Sequence, residues 1–290
     1  MTGSVRAPVH ESRLMAAARE HLPAPAVPLW RDLLLPAILL DHAAEGEPVA
    51  GHYGGDTVLL PPGMPWPEWD DYGPLTPWLT LDCAALPRTL PRTELALPES
   101  GLLQFFLADG QLWGKRTPWT IGSSAGAPEA DQVVYVPDAA DALPTKAPDA
   151  LHCIEPEPLT AWLDLTPPQY PETAWRERYG DDAAPDALTK YEFEVETSGE
   201  HLPTKIGGHT YAMQDPPEDE LVRYAVFKNE NTDEERQKHE TAQWRPLLEY
   251  SPHDRTALHC GDYWNLYWFI RADALAARRF DEALMVEQCT

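Results

Sequence analysis

The sequence predicts an α+β chain, mainly β, built from two related halves with helices packed outside them. Three observations predict it. The first is the run Gly261-Asp262-Tyr263-Trp264-Asn265-Leu266-Tyr267-Trp268-Phe269-Ile270. A Gly-Asp turn opens there into aromatic and aliphatic residues, the pattern of a buried strand entered from a tight turn. The second is a plainer copy about half a chain earlier, Gly101-Leu102-Leu103-Gln104-Phe105-Phe106-Leu107. The third is the order of motifs. Gly54-Gly55 precedes Leu79-Thr80-Leu81-Asp82 and then Gly101 with its strand, while Gly207-Gly208 precedes Leu247-Leu248-Glu249-Tyr250 and then Gly261 with its strand. Loop lengths differ and the order holds, at a coarser scale than solenoid repeats. We therefore expect an N-terminal helical segment over residues 1–34 and one domain over 35–290. Its halves, about 35–140 and 190–290, are joined by a connector rich in Pro, Ala and Asp.

Taken in order, Leu14, Ala17, Ala18 and Leu22 recur at helical spacing between Val9 and Leu22, and Pro23 ends the run. A second helix is expected from Pro28 to Leu35, proline being tolerated at a first helical position. Ala37–Leu40 reads as a strand. Gly51–Asp82 is rich in turns, with Gly54-Gly55 followed by Val58-Leu59-Leu60 and then by Pro61–Pro67, a loop or sheet edge because proline cannot donate to an interior ladder. Trp78–Asp82, Leu102–Leu107 and Val133–Val136 follow as strands. Within the connector, Pro137 to Asp186, only Thr173–Gly180 is expected to be helical. Tyr191, Phe193 and Val195 alternate with Glu192, Glu194 and Glu196, predicting a strand with one apolar and one acidic face. Leu221–Phe227 is expected as a strand, Thr232–Gln243 as a charged helix or loop, and Pro246–Tyr250 as a strand. After the aromatic strand come a helical turn over Ala274–Arg279 and a closing strand at Leu284–Val286.

Charge narrows the function classes. Lys and Arg total 22 and Asp and Glu 47, a net charge of −25. Such a chain is repelled by nucleic-acid backbones and anionic lipid surfaces. No apolar run approaches the ~20 residues of a membrane span. Met1–Pro25 has no continuous apolar core of a secretory signal. The four cysteines, Cys83, Cys153, Cys260 and Cys289, form no closely spaced pair, so reduced thiols and a cytoplasmic location are expected.

In the second half, Lys205, Gly207, Gly208, Gln214, Leu247, Leu248, Gly261, Asp262, Tyr267, Phe269, Ile270, Asp273, Leu275, Phe280, Gln288 and Cys289 stand in a characteristic order. In the first half, so do Gly54-Gly55, Pro65-Trp66-Pro67, Leu97–Leu102 and Phe105-Phe106. This ordered set resembles the YwqG-like family, a bacterial family whose domain is described as of unknown function. The resemblance spans roughly Leu35 to Thr290. It implies a mainly β, roll-like fold with internal duplication and brings no catalytic residues to carry over. The chain departs from the family pattern at Leu79-Thr80-Leu81-Asp82 and Leu248-Glu249-Tyr250-Ser251, where a Gln-Ile-Asp-like triplet is usual in the first.

Two Ala-Leu-His-Cys tetrapeptides offer His152, Cys153, His259 and Cys260 as zinc ligands. Neighbouring strand residues point to opposite faces and paired ligands are normally separated by two to five residues, so no metal or cofactor is expected. The Gly-Gly pairs fit no phosphate-binding pattern and read as turns needing φ > 0. No GxSxG elbow occurs. Trp66 and Trp69, beside Asp70 and Asp71 in a proline-framed loop, could hold a sugar or a cationic group, or simply cap the sheet. From Asp164 to Glu240 there are 19 acidic and 8 basic residues, and Glu192, Glu194 and Glu196 would repeat at ~6.6 Å along a strand. The expectation is a non-enzymatic binding or regulatory protein with an acidic surface for a basic protein partner. An immunity-like inhibitor of a cationic toxin is one form of it. The alternative is a hydrolase acting on a small molecule or sugar through paired Asp or Glu carboxylates. Oligomeric state is left open.

Overall fold

A computed structural model of the chain describes residues 9–70, 73–87, 95–108, 130–180, 185–190, 193, 204–228, 232–250 and 264–289. Two helices come first, α1 (Val9–His21) and α2 (Ala26–Leu33). Helix α2 begins two residues earlier than expected, with Pro28 inside its first turn, where a missing N–H costs no bond. Leu14, Ala18 and Leu22 of the first helical run join Trp30 and Leu33 in a cluster with Trp175, Leu188 and Phe193 on the flank of the domain.

The strands of the first half are β1 (Leu35–His42), β2 (Gly51–Tyr53), β3 (Thr57–Leu60), β4 (Glu68–Trp69), β5 (Gly73–Pro74), β6 (Thr76–Asp82), β7 (Leu102–Leu107), β8 (Asp131–Val136) and β9 (Leu143–Lys146). Those of the second are β10 (Glu157–Thr166), β11 (Lys205–Gly207), β12 (Trp244–Tyr250), β13 (Trp264–Arg271) and β14 (Leu284–Cys289). Between them lie α3 (Pro171–Tyr179), α4 (Pro217–Leu221) and α5 (Glu234–Thr241), and α6 (Ala272–Ala276) follows β13.

Among the described residues ten strands form one antiparallel sheet in the order β14-β13-β12-β11-β1-β10-β2-β6-β7-β8, while β3–β9 and β4–β5 make two-stranded ribbons. Outward from the β1–β10 pair, the order is the same on both sides. A short strand ending at a Gly-Gly pair comes first (β2, β11), then a proline-containing strand (β6, β12), an aromatic strand (β7, β13) and an edge strand (β8, β14). The register slips between Pro77 and Leu79 in β6 and between Pro246 and Leu248 in β12. A proline inside a central strand is accommodated at such a bulge. The leading strands are exchanged: β1 pairs with β11 of the second half, and β10 pairs with β2 of the first.

Three sequence expectations are corrected here. The span Pro137 to Asp186 contains β9 and the ten-residue β10, which pairs along the whole of β1 from Leu35↔Thr166 to His42↔Leu159. The period-2 alternation of Leu159, Ala161, Leu163 and Leu165 marks this strand, and the Pro- and Ala-rich flanks mask it. The span Leu221–Phe227 is helical through Val226, α4 running into a π-helical turn over Val222–Val226. Pro217 starts that helix, and Glu218, Asp219 and Glu220 lie in its first turn, where the helix dipole favours carboxylates. In the span expected to be an acid-faced strand, Phe193 is helical and buried edge-on against Trp30, ring centroids 5.0 Å apart. Glu192, Glu194 and Glu196 lie outside the described residues.

Leu103, Phe105, Leu107, Leu266, Trp268 and Ile270 are all buried, as alternation predicts, on the inner face with Ile38, Leu40, Leu81, Leu248 and Met285. Trp268 stacks on Trp78 at 5.2 Å and meets Phe105 edge-on at 5.5 Å. Its Nε1–H donates to Asp131 Oδ2 at 2.9 Å. Strands β13 and β8 stand near opposite ends of the sheet order, so this bond crosses the interior of a nearly closed, barrel-like sheet.

Burial pushes the Asp131 carboxyl up to about 7, against the opposing pull of the Trp268 N–H. A folded-state value above the unfolded one means the stabilisation is complete below pH 3.8 and is lost as pH rises through about 7. Asp131→Asn keeps an acceptor for Trp268 and removes that titration. The variant should show a flatter denaturation midpoint between pH 4 and 8 and exceed the parent at pH 8. Parallel midpoints in both proteins would refute the assignment.

Candidate functional site

The described titratable groups with shifted pKa gather most densely on the outer face of the second half. Lys205, Glu249 and Tyr267 stand side by side across β11, β12 and β13, paired Lys205↔Glu249 and Glu249↔Tyr267 in register. All three are buried. Leu266, Trp268 and Ile270 point into the barrel, so the alternation of β13 turns Tyr267 and Phe269 outward, against Leu221, Val222 and Val286.

The chain that covers this face leaves β11 through Gly207 and Gly208, both at positive φ (70° and 78°). A Cβ on Gly208 would stand 2.5 Å from Thr166 Oγ1 and 2.8 Å from Ala37 Cβ, so only glycine lets the backbone turn there. Residues 209–216 then cross the face as a strap. His209 N–H donates to Thr166 Oγ1 at 2.9 Å, and its Nε2 lies 2.7 Å from Leu33 O at the end of α2. Since a carbonyl only accepts, the ring carries its proton on Nε2. Burial holds the imidazole down at about 4, so it is neutral at physiological pH.

The strap backbone is gripped by side chains. Tyr211 N–H donates to Glu249 Oε2 at 3.1 Å, and Tyr267 Oη donates to Tyr211 O at 2.6 Å. Gln169 takes both backbone groups of Ala212, accepting its N–H at 2.8 Å and donating to its carbonyl at 2.7 Å. Gln288 Oε1 accepts from Met213 N at 2.8 Å and Gln214 N at 3.3 Å, while its Nε2 donates to Asp215 O and to Glu220. Asn265 donates to the Tyr267 hydroxyl.

The electrostatics follow from burial with one buried cation. Burial raises Glu249, and the Lys205 ammonium bonded to it pulls the other way. Burial also raises Glu218, which accepts from the Thr210 hydroxyl, and Glu220. The Tyr267 phenol is driven up by burial and by the Glu249 charge, so it remains a donor. Chemically, this is a cradle of side chains bonded to the backbone of Tyr211–Asp215.

The cradle brings together the predicted positions Gly207, Gly208, Tyr267 and Phe269. Gly54 and Gly55 make the matching turn in the first half (φ 68° and 95°). There Gln104, in the β7 place that Tyr267 holds in β13, accepts from Leu59 N at 3.2 Å and donates to Leu59 O. Gly101, at φ 90°, enters β7 with no room for a Cβ, which would meet Val136 O at 2.4 Å. Trp66 donates to Leu75 O at 2.9 Å and meets Phe106 edge-on at 5.7 Å. Both Trp66 and Trp69 are half-buried and pack on the outer face of the first half. Gly261, Asp262, His259 and Cys260 lie outside the described residues, and among the described ones no His, Cys, Asp and Glu group is placed to hold a metal ion.

Sequence reasoning missed Gln169 as a site residue and took Glu249 only as a departure from a pattern. A lone charge in the short apolar strand β11 was the signal available for Lys205, and a carboxylate beside Leu247 and Leu248 the one for Glu249. No helix among the described residues is long and apolar enough to cross a membrane. A family model described as a domain of unknown function, DUF1963, matches residues 52–289. The match omits β1, although that strand sits at the middle of the sheet. No curated protein matches the chain.

Proposed function

The chain belongs to the DUF1963 family, and from that premise we propose a binding or regulatory protein whose acidic surface docks a cationic protein partner. Within the family we place it in the YwqG-like group. That placement is supported by the ordered residues named above, of which Lys205, Gly207, Gly208, Tyr267 and Gln288 converge on the cradle.

The observation that carries the functional reading is the charge of −25. Part of it is concentrated on a described surface. Asp56, Asp138, Asp141, Asp149 and Glu155 are all exposed on or beside the β3–β9 ribbon, with Lys146 the basic residue among positions 137–157. A field of one sign raises the encounter rate with Lys- and Arg-rich surfaces and selects against acidic ones. An immunity-like inhibitor of a cationic toxin is one concrete form of such a protein.

Capture from native lysate should therefore retain a basic protein at low salt and lose it near 1 M, where the screening length shrinks to ~3 Å. Reversing Asp138, Asp141 and Asp149 to Lys in one variant, and Glu192, Glu194 and Glu196 to Lys in another, should abolish capture in at least one. Salt-insensitive capture, or capture unaffected by both variants, would sink the proposal.

A further inference from the structure

We propose that residues 210–215 occupy a peptide-binding groove of their own protein, acting as a built-in ligand that a second extended peptide can replace. Seven backbone groups within Tyr211–Asp215 are bonded to four side chains, Gln169, Glu249, Tyr267 and Gln288. These come from the loop after β10 and from β12, β13 and β14. Surface loops normally satisfy their backbone through water or their own turns. A segment whose amides and carbonyls are met by converging side chains is held as a bound peptide is held.

The first half supplies the contrast. There Gln104 clamps Leu59 in the same way, but β3 is also a strand, paired with β9 over four residues. The strap of the second half pairs with no strand among the described residues. It is bracketed by Gly207-Gly208 and Pro216-Pro217, which separate it from β11 and α4. Its outer side is open at Gln214, Asp215 and Pro216. Ala212 is buried between its two bonds to Gln169, so the groove takes a small residue at its centre. The ligand class is an extended peptide with a small central side chain, read chiefly through its backbone. Acidic surface charge plays no part in this recognition, so it stands apart from the docking role above.

Amide exchange on the native protein is the first test. The amides of 211–214 should exchange by a local opening at least ~10-fold faster than those of 266–270 and with little dependence on denaturant. Exchange of both sets only through a shared unfolding event overturns the proposal. The second test places Trp at position 212, which is too large for the gap beside Gln169 and evicts the strap. Acetyl-Thr-Tyr-Ala-Met-Gln-Asp-amide should bind Ala212→Trp at least ~100-fold more tightly than the parent, whose groove is free only in the opened fraction. Adding Gln169→Ala and Gln288→Ala to that variant should abolish binding. Equal affinity for parent and evicted protein, or no binding to a folded Ala212→Trp, overturns it. If that variant does not fold, the exchange measurement on the native chain decides.

Discussion

Truncating Trp268 to Ala is expected to lower the unfolding free energy by about 3–5 kcal/mol, the range for removing a large aromatic side chain from a packed core. Trp268 has no exposed surface and is the residue on which Trp78 and Phe105 meet. Its loss leaves a cavity where those rings cannot close up, because Trp78 and Phe105 belong to neighbouring strands β6 and β7 with a fixed spacing. It also removes the N–H that offsets the burial of Asp131. The deficit should therefore be larger at pH 8, where that carboxyl is ionised, than at pH 5. Chemical denaturation at the two pH values reads both effects. An unchanged midpoint would place the indole at the surface.

Replacing Lys205 with Met is expected to cost about 3–5 kcal/mol at pH 8, the cost of leaving one member of a buried ion pair alone. Glu249 has no other cation bonded to it in the cradle, and burial already raises its pKa. In the variant that rise is greater. Stability from the carboxyl is then present below its unfolded value and lost as pH climbs through the folded one, so the variant should recover at acidic pH. Adding Glu249→Leu should restore only part of the loss, since Tyr211 N–H then loses its acceptor. A Lys205→Met protein as stable as the parent at pH 8 would contradict the buried pairing.

Strands with a local signature were legible in the sequence. Strands β7 and β13 announce themselves through aromatic runs after a glycine, and β6 through alternation after a proline. Strand β10 was hidden because its flanks, rich in Pro and Ala, carry the composition of a linker, while its pairing with β1 depends on residues more than a hundred positions away. Leu221–Phe227 misled because Val222 and Val226 favour a strand, and tertiary burial against Tyr267 and Phe269 decided for a helix. The same division holds at the site. Gly207, Gly208, Tyr267 and Gln288 stand in a recognisable order, whereas Gln169 follows two prolines and looks like any loop residue. Its importance comes from Ala212, which only the fold brings near.

The exchange of leading strands has a consequence for how the molecule is made. Strand β1 emerges early in synthesis, yet its partners β10 and β11 lie about 120–170 positions downstream, a delay of ~6–34 s at ribosomal rates of ~5–20 residues per second. Once β8 is made, the first half holds β2, β6, β7 and β8 but still lacks β10, the strand that joins β2 to β1. Ala37, Ile38, Leu39 and Leu40, all buried in the finished protein, travel meanwhile on a segment with both edges unpaired. The nascent chain thus carries its own central strand as an aggregation hazard until the last third of translation, which makes it a client for chaperones that cover exposed apolar strands.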